Sequence, residues 1–318
     1  MEIKKVMVAG GGVLGSQIAF QAAYCGFDVV IWLRSESSIT RTQPKLDQLR
    51  LNYIDSINKM AENKGFWARG LADKESFDKK ECLEKTEKAY ASIKLVTDLK
   101  EACKDVDLVI ESMAEIAEQK IEFYKKLNPV LEEKTVVVTN SSTLLPSAFA
   151  KYTGRPEKYL SLHFANHIWI NNTAEVMAQD KTESQYFDLL IKFANDIRMV
   201  ALPVLKEKNG YLLNSMLVPF LLSGLDLVAC GVSDPESVDK AWTLGTGAPR
   251  GPFQIFDVVG LQTAYNIVLQ FQKVPGLLSP ILKKMMLPYN FKAQLKLLKE
   301  KIDQGKLGKA SGEGFYKY

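Results

Sequence analysis

The feature that most constrains the fold is a glycine-rich turn near the N-terminus. An apolar stretch, Lys5 to Ala9, runs into glycines at positions 10, 12 and 15, and a helical pattern of small residues follows. This G-x-G-x-x-G spacing between a strand and a helix predicts a dinucleotide site. Gly10 permits the turn, Gly12 lets a pyrophosphate approach the backbone, and Gly15 lets the helix close onto the strand.

The start of the helix after this turn completes the predicted phosphate site. Val13 and Leu14 lie in its first turn, where free N–H groups and the positive end of the helix dipole favour an anion. A turn with a purely structural role is the alternative. The strand before the turn, the helix after it and the second predicted strand all favour nucleotide binding.

The end of that second strand bears on which dinucleotide binds. The strand, Asp28 to Leu33, ends in Leu33-Arg34-Ser35, where folds that prefer NAD usually carry an acid that binds the ribose 2′-hydroxyl. Arginine and serine both donate hydrogen bonds and suit a 2′-phosphate. The sequence therefore favours NADP, with Glu36 as an alternative partner for an NAD ribose if it turns inward.

Repeated alternation of strands and helices predicts a doubly wound, Rossmann-type α/β domain over residues 1–204. Its polar, lysine-rich segment at about 40–91 is too long for a simple crossover, so we expect a helical protrusion there, with a helix from Pro44 to Ala61. After a polar hinge at Lys206 to Gly210, helical patterns predict an all-α domain over residues 205–318.

Composition excludes several classes of protein. The 318 residues carry a net charge of +4 without a basic stripe, which gives no support for nucleic-acid binding. The most apolar window, Tyr211 to Val232, is too interrupted by polar residues to span a bilayer. The four cysteines form no C-x-x-C pair, and no cluster has metal-ligand spacing, so we predict no metal site. The N-terminus enters a strand at once, and we expect a cytosolic protein.

The chain contains two histidines, His163 and His167, and both lie near the end of a predicted strand. A histidine at a strand end in such a sheet is a natural general acid/base, because its pKa lies near the working pH. Glu175 lies in an apolar strand, where an acid needs a partner, and an imidazole N–H is a suitable one. A hydrogen-bonded structural histidine is the alternative.

Polar residues at two other element ends are further candidates. Asn140 and Ser142 follow a predicted strand, at the edge where ligands bind in open α/β sheets, although Ser142 alone is better explained as a cap for the helix after Pro146. Asn214 lies in the first turn of the helix after the hinge. It is a candidate for the site, or only a mild defect in helix propensity.

Together these segments resemble the 3-hydroxyacyl-CoA dehydrogenase family, in its short 3-hydroxybutyryl-CoA dehydrogenase form. The resemblance covers essentially the full length, from the glycine motif to the tail GKLGKASGEGFYKY. The segments LGSQIAFQ, TNSSTLLPS, HFANHIWINNTAEVM and GTGAPRGPF are closer still to the diketoreductase branch of that family.

The resemblance implies a role for each matching residue. His163 would be the catalytic acid/base, oriented by Glu175, and Ser142 and Asn214 would hold the reacting oxygen of the substrate. The residues implied in cofactor binding, besides the glycine motif and the strand end, are Glu115, Lys120, Asn140 and Asn166. The resemblance also implies dimerisation through the helical C-terminal domain.

This chain departs from the family pattern in ways that affect cofactor and substrate. Leu33 stands where the family usually has an acid. Ala165 and His167 replace Phe and Pro after the catalytic histidine, and Arg250 stands where methionine is frequent. Ala165, His167 and Arg250 are therefore predicted to line a reshaped substrate pocket.

The sequence supports a hydride-transferring oxidoreductase that uses NAD(P) to interconvert 3-hydroxyacyl-CoA and 3-ketoacyl-CoA. One alternative is the same chemistry on non-CoA 3-keto or diketo esters. A second is a dinucleotide-binding protein without turnover, but such a protein has no need for the His163, Glu175, Ser142 and Asn214 set.

Overall fold

The computed structural model describes residues 2–62, 64–272 and 289–318. Packing divides the chain into two compact units, Met1–Leu212 and Leu213–Tyr318. The division lies later than the boundary predicted at residue 204. Tyr211 explains the difference, because it is buried against Met177 and Val204 of the first unit.

The first unit is built on a Rossmann-type sheet, as predicted. Its eight strands lie in the order β3-β2-β1-β4-β5-β6-β7-β8. The strands are β1 (Lys5–Ala9), β2 (Asp28–Trp32), β3 (Lys94–Val96), β4 (Leu108–Glu111), β5 (Val136–Thr139), β6 (Tyr159–Phe164), β7 (Thr173–Met177) and β8 (Val200–Val204).

Strand direction differs from the all-parallel sheet that the pattern predicts. Neighbouring strands from β3 to β6 are parallel, but β7 is antiparallel to β6, and β8 is parallel to β7. The short connection from β6 to β7, residues 165–172, holds no helix that would carry the chain back across the sheet. The last two strands therefore run opposite to the other six.

Helices cover both faces of the sheet. They are α1 (Val13–Tyr24), α2 (Glu36–Ala61), α3 (Lys79–Ser92), α4 (Leu99–Ala102), α5 (Ala117–Leu127) and α6 (Ser184–Asp196). Side chains of one strand alternate between two buried clusters. Val6 and Val8 of β1 pack with α1, α2 and α6, whereas Met7 and Ala9 pack with α4 and α5. This period of two is what a sheet buried on both faces requires.

The helical protrusion predicted at about 40–91 needs correction. Helix α2 begins at Glu36 rather than at Pro44, and Pro44 lies inside it. Its apolar stripe, which includes Leu49, Tyr53 and Ile57, is buried in the same cluster as α1. Because these side chains recur every three or four residues, they form one face of the helix, and that face joins the main core.

The second unit is helical, as predicted. The helices among its described residues are α7 (Leu213–Ala229), α8 (Pro235–Thr246), α9 (Pro252–Val259), α10 (Leu261–Gln272) and α11 (Phe291–Asp303). Its core contains leucines 221, 222 and 225 of α7 with Phe253 and Phe256 of α9.

A buried carboxylate anchors the C-terminal tail to this unit. Asp257, 1% exposed, accepts hydrogen bonds from the backbone N–H groups of Phe315 (2.7 Å) and Tyr316 (2.8 Å). A Cβ atom on Gly314 would lie 2.0 Å from Oδ1 of Asp257, so only glycine allows this approach. Packing thus explains the glycine at position 314.

Among the described residues, no helix combines the length and the apolar character needed to cross a bilayer.

Candidate active site

The glycine turn between β1 and α1 has the geometry that its sequence predicts. Gly10 has a φ of +117°, and a Cβ atom there would lie 2.6 Å from the carbonyl oxygen of Ser112. A Cβ atom on Gly15 would lie 2.1 Å from the carbonyl oxygen of Gly10. Gly12 differs, because no heavy atom lies within 4 Å of its Cβ position. The turn therefore leaves open space in front of Gly12, at the N-terminus of α1.

A cleft of about 260 Å³ lies over this turn. Its lining includes glycines 10–12, Trp32, Leu33, Arg34, Ser38, Arg41, Lys45 and Ser112. Helix α1 begins at Val13, so its first N–H groups have no partner within the helix and are available to an anion. The open backbone and the free N–H groups fit the pyrophosphate of a dinucleotide.

The contrast between Gly12 and Gly15 gives a prediction. We expect Gly12→Ala to change the free energy of unfolding by less than about 0.5 kcal/mol, because the added methyl meets nothing, while NAD(P)H binding weakens. Gly15→Ala should destabilise the fold by about 1–3 kcal/mol or more through overpacking. Urea unfolding and cofactor titration separate the two effects, and equal destabilisation by both substitutions would contradict this account.

The rim of the cleft beyond β2 is cationic. Arg34, Arg41 and Lys45 line it, and among the described lining residues none is acidic. Glu36 faces elsewhere, because its Oε1 accepts a hydrogen bond from Thr97 Oγ1 at 2.8 Å. Ser35 is the other predicted cofactor-binding residue at this strand end. Its hydroxyl lies 3.0 Å from the hydroxyls of Ser37 and Ser38.

His163 and Glu175 form a buried pair. They lie directly opposite each other in the antiparallel register of β6 and β7, so their side chains share one face of the sheet. Nδ1 of His163 lies 2.8 Å from Oε2 of Glu175, and the two residues are 6% and 3% exposed. When the carboxylate is ionised it can only accept, so the tautomer that satisfies this contact carries its proton on Nδ1 and leaves Nε2 able to accept one.

The turn after β8 contacts both members of this pair. The ring of Tyr211 stacks on the imidazole of His163, with centroids 4.6 Å apart and planes 16° apart. The N–H of Leu212 donates to Oε1 of Glu175 at 2.8 Å. The hydroxyl of Tyr211 donates to the carbonyl oxygen of Ser141 at 2.7 Å, which reaches the loop after β5.

That loop carries Ser142, which is half-buried. Ser142 does not cap the short 3₁₀ turn at Pro146–Ala148, whose N-cap is Leu145 and which has no side-chain cap. Glu115 holds the residues on either side, because its Oε1 accepts from the Ser141 hydroxyl and from the N–H of Thr143. The loop is therefore held on both sides of Ser142.

The charge of Glu115 follows from these contacts. Burial opposes its ionisation, but the hydrogen bonds from Ser141 and Thr143 and the charge of Lys120 outweigh that cost. The pKa of the Glu115 carboxyl therefore lies below its usual value, and the group is a carboxylate at neutral pH.

Lys120 is buried with a second carboxylate, that of Glu111 at the end of β4. Its Nζ lies 2.7 and 2.8 Å from the two oxygens of Glu111, and the side chains are 1% and 0% exposed. Tyr124 and Thr139 also donate to Glu111. Nζ lies 3.5 Å from Oε2 of Glu115 as well, so this ion pair extends to the loop that carries Ser142.

The remaining candidates of the first unit lie at the ends of the same strands. Asn140 Oδ1 accepts from the N–H of Phe164 at 3.1 Å, which joins the ends of β5 and β6. Ala165, Asn166 and His167 follow in the connection to β7, where His167 has a φ of +58°. Their roles toward cofactor and substrate stay predictions, as does that of Lys120.

Asn214 and Arg250 belong to the second unit. Asn214 lies in the first turn of α7, and Arg250 lies in the segment between α8 and α9. Their predicted roles toward the substrate also stay predictions.

Comparison with known proteins decides the family. The sequence matches the family model for the 3-hydroxyacyl-CoA dehydrogenase NAD binding domain over residues 5–208, and the model for the C-terminal domain over residues 210–318. The chain belongs to the 3-hydroxyacyl-CoA dehydrogenase family. It is therefore an oxidoreductase that acts on CH–OH groups with a nicotinamide dinucleotide, rather than a binding protein without turnover.

Individual members of the family show the range of similarity. Mitochondrial hydroxyacyl-coenzyme A dehydrogenase of Homo sapiens is 29% identical over 99% of this chain and 91% of that protein. The 3-hydroxybutyryl-CoA dehydrogenase of Clostridioides difficile is 28% identical over 99% of both. A solved diketoreductase structure, described as performing dual catalysis on dicarbonyl compounds, is 43% identical over 100% of both chains, with a TM-score of 0.82.

Sequence reasoning missed several residues that the structure places around this dehydrogenase site. Tyr211 and Arg41 received no role, because nothing in their local sequence marks them, and Glu111 received none although its sequence did carry a signal. The one available signal was Glu111 itself, an acid at the end of an apolar strand, which is the same signal that identified Glu175.

Proposed function

We propose that this chain interconverts 3-hydroxyacyl-CoA and 3-ketoacyl-CoA, with His163 as the acid/base. The observation that carries the proposal is the buried pair in which Glu175 Oε2 accepts from Nδ1 of His163 at 2.8 Å. An orienting carboxylate behind an imidazole is the arrangement that general acid–base catalysis uses.

The two residues divide the proton chemistry between them. In oxidation, Nε2 of neutral His163 removes the hydroxyl proton, and in reduction the protonated ring returns it. Glu175 stabilises the imidazolium that forms, because a carboxylate is held at Nδ1 throughout. A bound nicotinamide supplies or accepts the hydride at the carbinol carbon.

Ser142 and Asn214 are the proposed partners of the reacting oxygen. Both side chains donate hydrogen bonds, and donors aimed at an oxygen that gains charge stabilise the transition state more than the ground state. For Ser142, the support is the loop held by Glu115 on either side of it. For Asn214, the support is the family resemblance alone.

Reduction of non-CoA 3-keto or diketo esters is the second candidate substrate class. The 43% identity with a diketoreductase favours it. Ala165 and His167, which this chain has beside the catalytic histidine, are part of the segment that resembles that branch. The two candidates share the acid/base chemistry and differ only in what binds beyond the keto group.

Initial rates of NAD(P)H oxidation with acetoacetyl-CoA and with ethyl acetoacetate test which class is used. A kcat/KM at least tenfold higher for the thioester supports the acyl-CoA activity. Equal or better use of the ester supports the diketoreductase-like activity. No oxidation with any 3-keto compound would contradict both.

We also propose that NADP(H) is preferred over NAD(H). The support is the cationic rim of Arg34, Arg41 and Lys45 beyond β2. Arginine matches the oxygens of a phosphate with paired donors, so this rim suits a 2′-phosphate. Glu36, the acid that was considered for an NAD ribose, is instead hydrogen-bonded to Thr97.

Removing this charge should change the cofactor preference. We expect Arg34→Ala with Arg41→Ala to raise KM for NADPH at least tenfold, because two charge-assisted contacts are lost, and to leave KM for NADH within about threefold. Arg50→Ala is the matched control, since Arg50 lies in the same helix as Arg41 but pairs with Glu87 and does not line the cleft. Wild-type use of NADH with a higher kcat/KM than NADPH would contradict the proposal.

A homodimer through the second unit is the proposed assembly. Several large apolar side chains of this unit are exposed in the single chain, among them Met216 (67%), Val232 (69%) and Leu244 (83%). A large exposed apolar patch commonly marks an interface, and these side chains are the candidates for such a patch in the second unit. Sedimentation velocity should give about twice the mass of one chain, and a monomer at micromolar concentration would contradict this proposal.

A further inference from the structure

Tyr211 contacts both His163 and the loop that carries Ser142. Its ring stacks on the imidazole at 4.6 Å, and its hydroxyl donates to the carbonyl oxygen of Ser141 at 2.7 Å. The residue is 1% exposed, so the ring is fully enclosed. A tyrosine side chain held both at the face of its ring and at its hydroxyl has little freedom to move.

The backbone around Tyr211 adopts conformations that need support. Gly210 has a φ of +81° and Tyr211 a φ of +50°. A bulky residue rarely takes a positive φ, and such residues concentrate where the surrounding structure imposes the conformation for a function. Here it places the ring of Tyr211 against His163 and the N–H of Leu212 on Oε1 of Glu175.

We propose that Tyr211 is a positioning residue for the acid/base pair. Its ring fixes the plane of the His163 imidazole from one face, while Glu175 fixes the ring from Nδ1. Its hydroxyl holds the Ser141 carbonyl, so the same side chain sets the position of the adjacent Ser142 relative to the imidazole. This role rests on the proposed function of His163 and goes beyond it.

Two substitutions separate the ring from the hydroxyl. Tyr211→Phe keeps the stacked ring and removes the hydrogen bond to Ser141, so we expect kcat to fall about twofold to tenfold, as the loss of one such bond implies. Tyr211→Leu removes the ring as well, and we expect kcat to fall about 10²-fold through misplacement of the imidazole. KM for the substrate should stay within about threefold in both.

The experiment measures kcat and KM of the full chain with saturating NADPH, using acetoacetyl-CoA and ethyl acetoacetate in parallel. Because the chain has two histidines, ¹⁵N-labelled histidine gives signals from only two imidazole rings, each with an Nδ1 and an Nε2 resonance. A single Nδ1–H tautomer of His163 in the wild type, broadened in Tyr211→Leu but kept in Tyr211→Phe, supports the role. A purely structural residue would lower the melting temperature without these changes.

Values of kcat within twofold of wild type in both variants, or unchanged His163 signals in Tyr211→Leu, would overturn the proposal. If Tyr211→Leu does not fold, the test rests on Tyr211→Phe, and a kcat within twofold of wild type in that variant overturns the proposal. The His163→Gln variant distinguishes failure of the role proposed for Tyr211 from failure of the acid/base role proposed for His163. Full activity in His163→Gln refutes the acid/base role, whereas the imidazole spectrum judges Tyr211 without any turnover.

Discussion

Replacing His163 by glutamine should lower kcat about 10²–10⁴-fold in both directions of the reaction. Glutamine keeps hydrogen-bonding capacity at a similar length but has no group that exchanges a proton near neutral pH, and general acid–base help contributes about this factor. Glu175→Gln should also lower kcat strongly, because its amide cannot stabilise an imidazolium at Nδ1.

This account requires that kcat falls because the proton transfer is lost, and not because the variant fails to fold or to bind the cofactor. His163 does not line the cleft over the glycine turn, so NADPH should bind to His163→Gln with a dissociation constant within about threefold of wild type. Steady-state kinetics and cofactor fluorescence measure the two quantities on the same samples. A folded His163→Gln variant that keeps a tenth or more of the wild-type kcat would refute the mechanism.

Replacing Glu111 by glutamine should lower the free energy of unfolding of the first unit by about 3–5 kcal/mol. The substitution leaves the buried ammonium group of Lys120 with only the carboxylate of Glu115, which lies farther away at 3.5 Å and is 34% exposed. Breaking one side of a buried pair has costs of this size. The side chains of Glu111 and Lys120 are 0% and 1% exposed, so water cannot replace the lost partner.

An exposed pair of similar length provides the matched control. Arg50 Nε lies 2.8 Å from Glu87 Oε2, but the side chains are 37% and 50% exposed. Glu87→Gln should cost only about 0–1 kcal/mol, because solvent screens exposed pairs. Urea unfolding followed by tryptophan fluorescence compares the two. An effect of Glu111→Gln no larger than that of Glu87→Gln would show that burial is not what makes the pair important.

The phosphate site was predictable because its requirements are local. The need for glycine at position 15 arises within the turn, from the carbonyl oxygen of Gly10, and the spacing encodes that contact. Gly10 has a positive φ, which the turn requires, and it also lies against the carbonyl oxygen of Ser112, a contact that the local sequence does not encode. The pairing of His163 with Glu175 was predicted for a different reason. An acid in an apolar strand needs a partner, and the imidazole N–H of a histidine in a neighbouring apolar strand is a suitable one.

The direction of β7 was not predictable from its sequence. The pattern of an apolar strand is the same whichever way the strand runs. The antiparallel register nevertheless places Glu175 directly opposite His163. In a parallel arrangement the same two residues would meet different neighbours, so the sequence indicated the pair while the topology explains its geometry.

The positions of Lys120 and Tyr211 depend on contacts distant in sequence. A lysine is rarely buried, so its sequence pattern indicates exposure to solvent, and the carboxylates of Glu111 and Glu115 make its burial possible. Tyr211 takes a positive φ that its residue type disfavours, and the contacts with His163 and Ser141 appear only in the folded chain. The stripe of α2 containing Leu49, Tyr53 and Ile57 is different, because its helical spacing was readable from the sequence.

The central claim is hydride transfer between a nicotinamide dinucleotide and the C3 carbon of a 3-oxygenated substrate, assisted by His163. Its most direct test uses NADPH and NADH that carry deuterium at C4 of the nicotinamide, with each of the two faces labelled in a separate preparation. Each labelled cofactor is incubated with acetoacetyl-CoA and, separately, with ethyl acetoacetate. Mass spectrometry of the product should show one deuterium at C3 for the wild type, formed at least a hundredfold more slowly by His163→Gln. Absence of labelled product from every combination, in a wild-type protein that binds the cofactor, would contradict the claim.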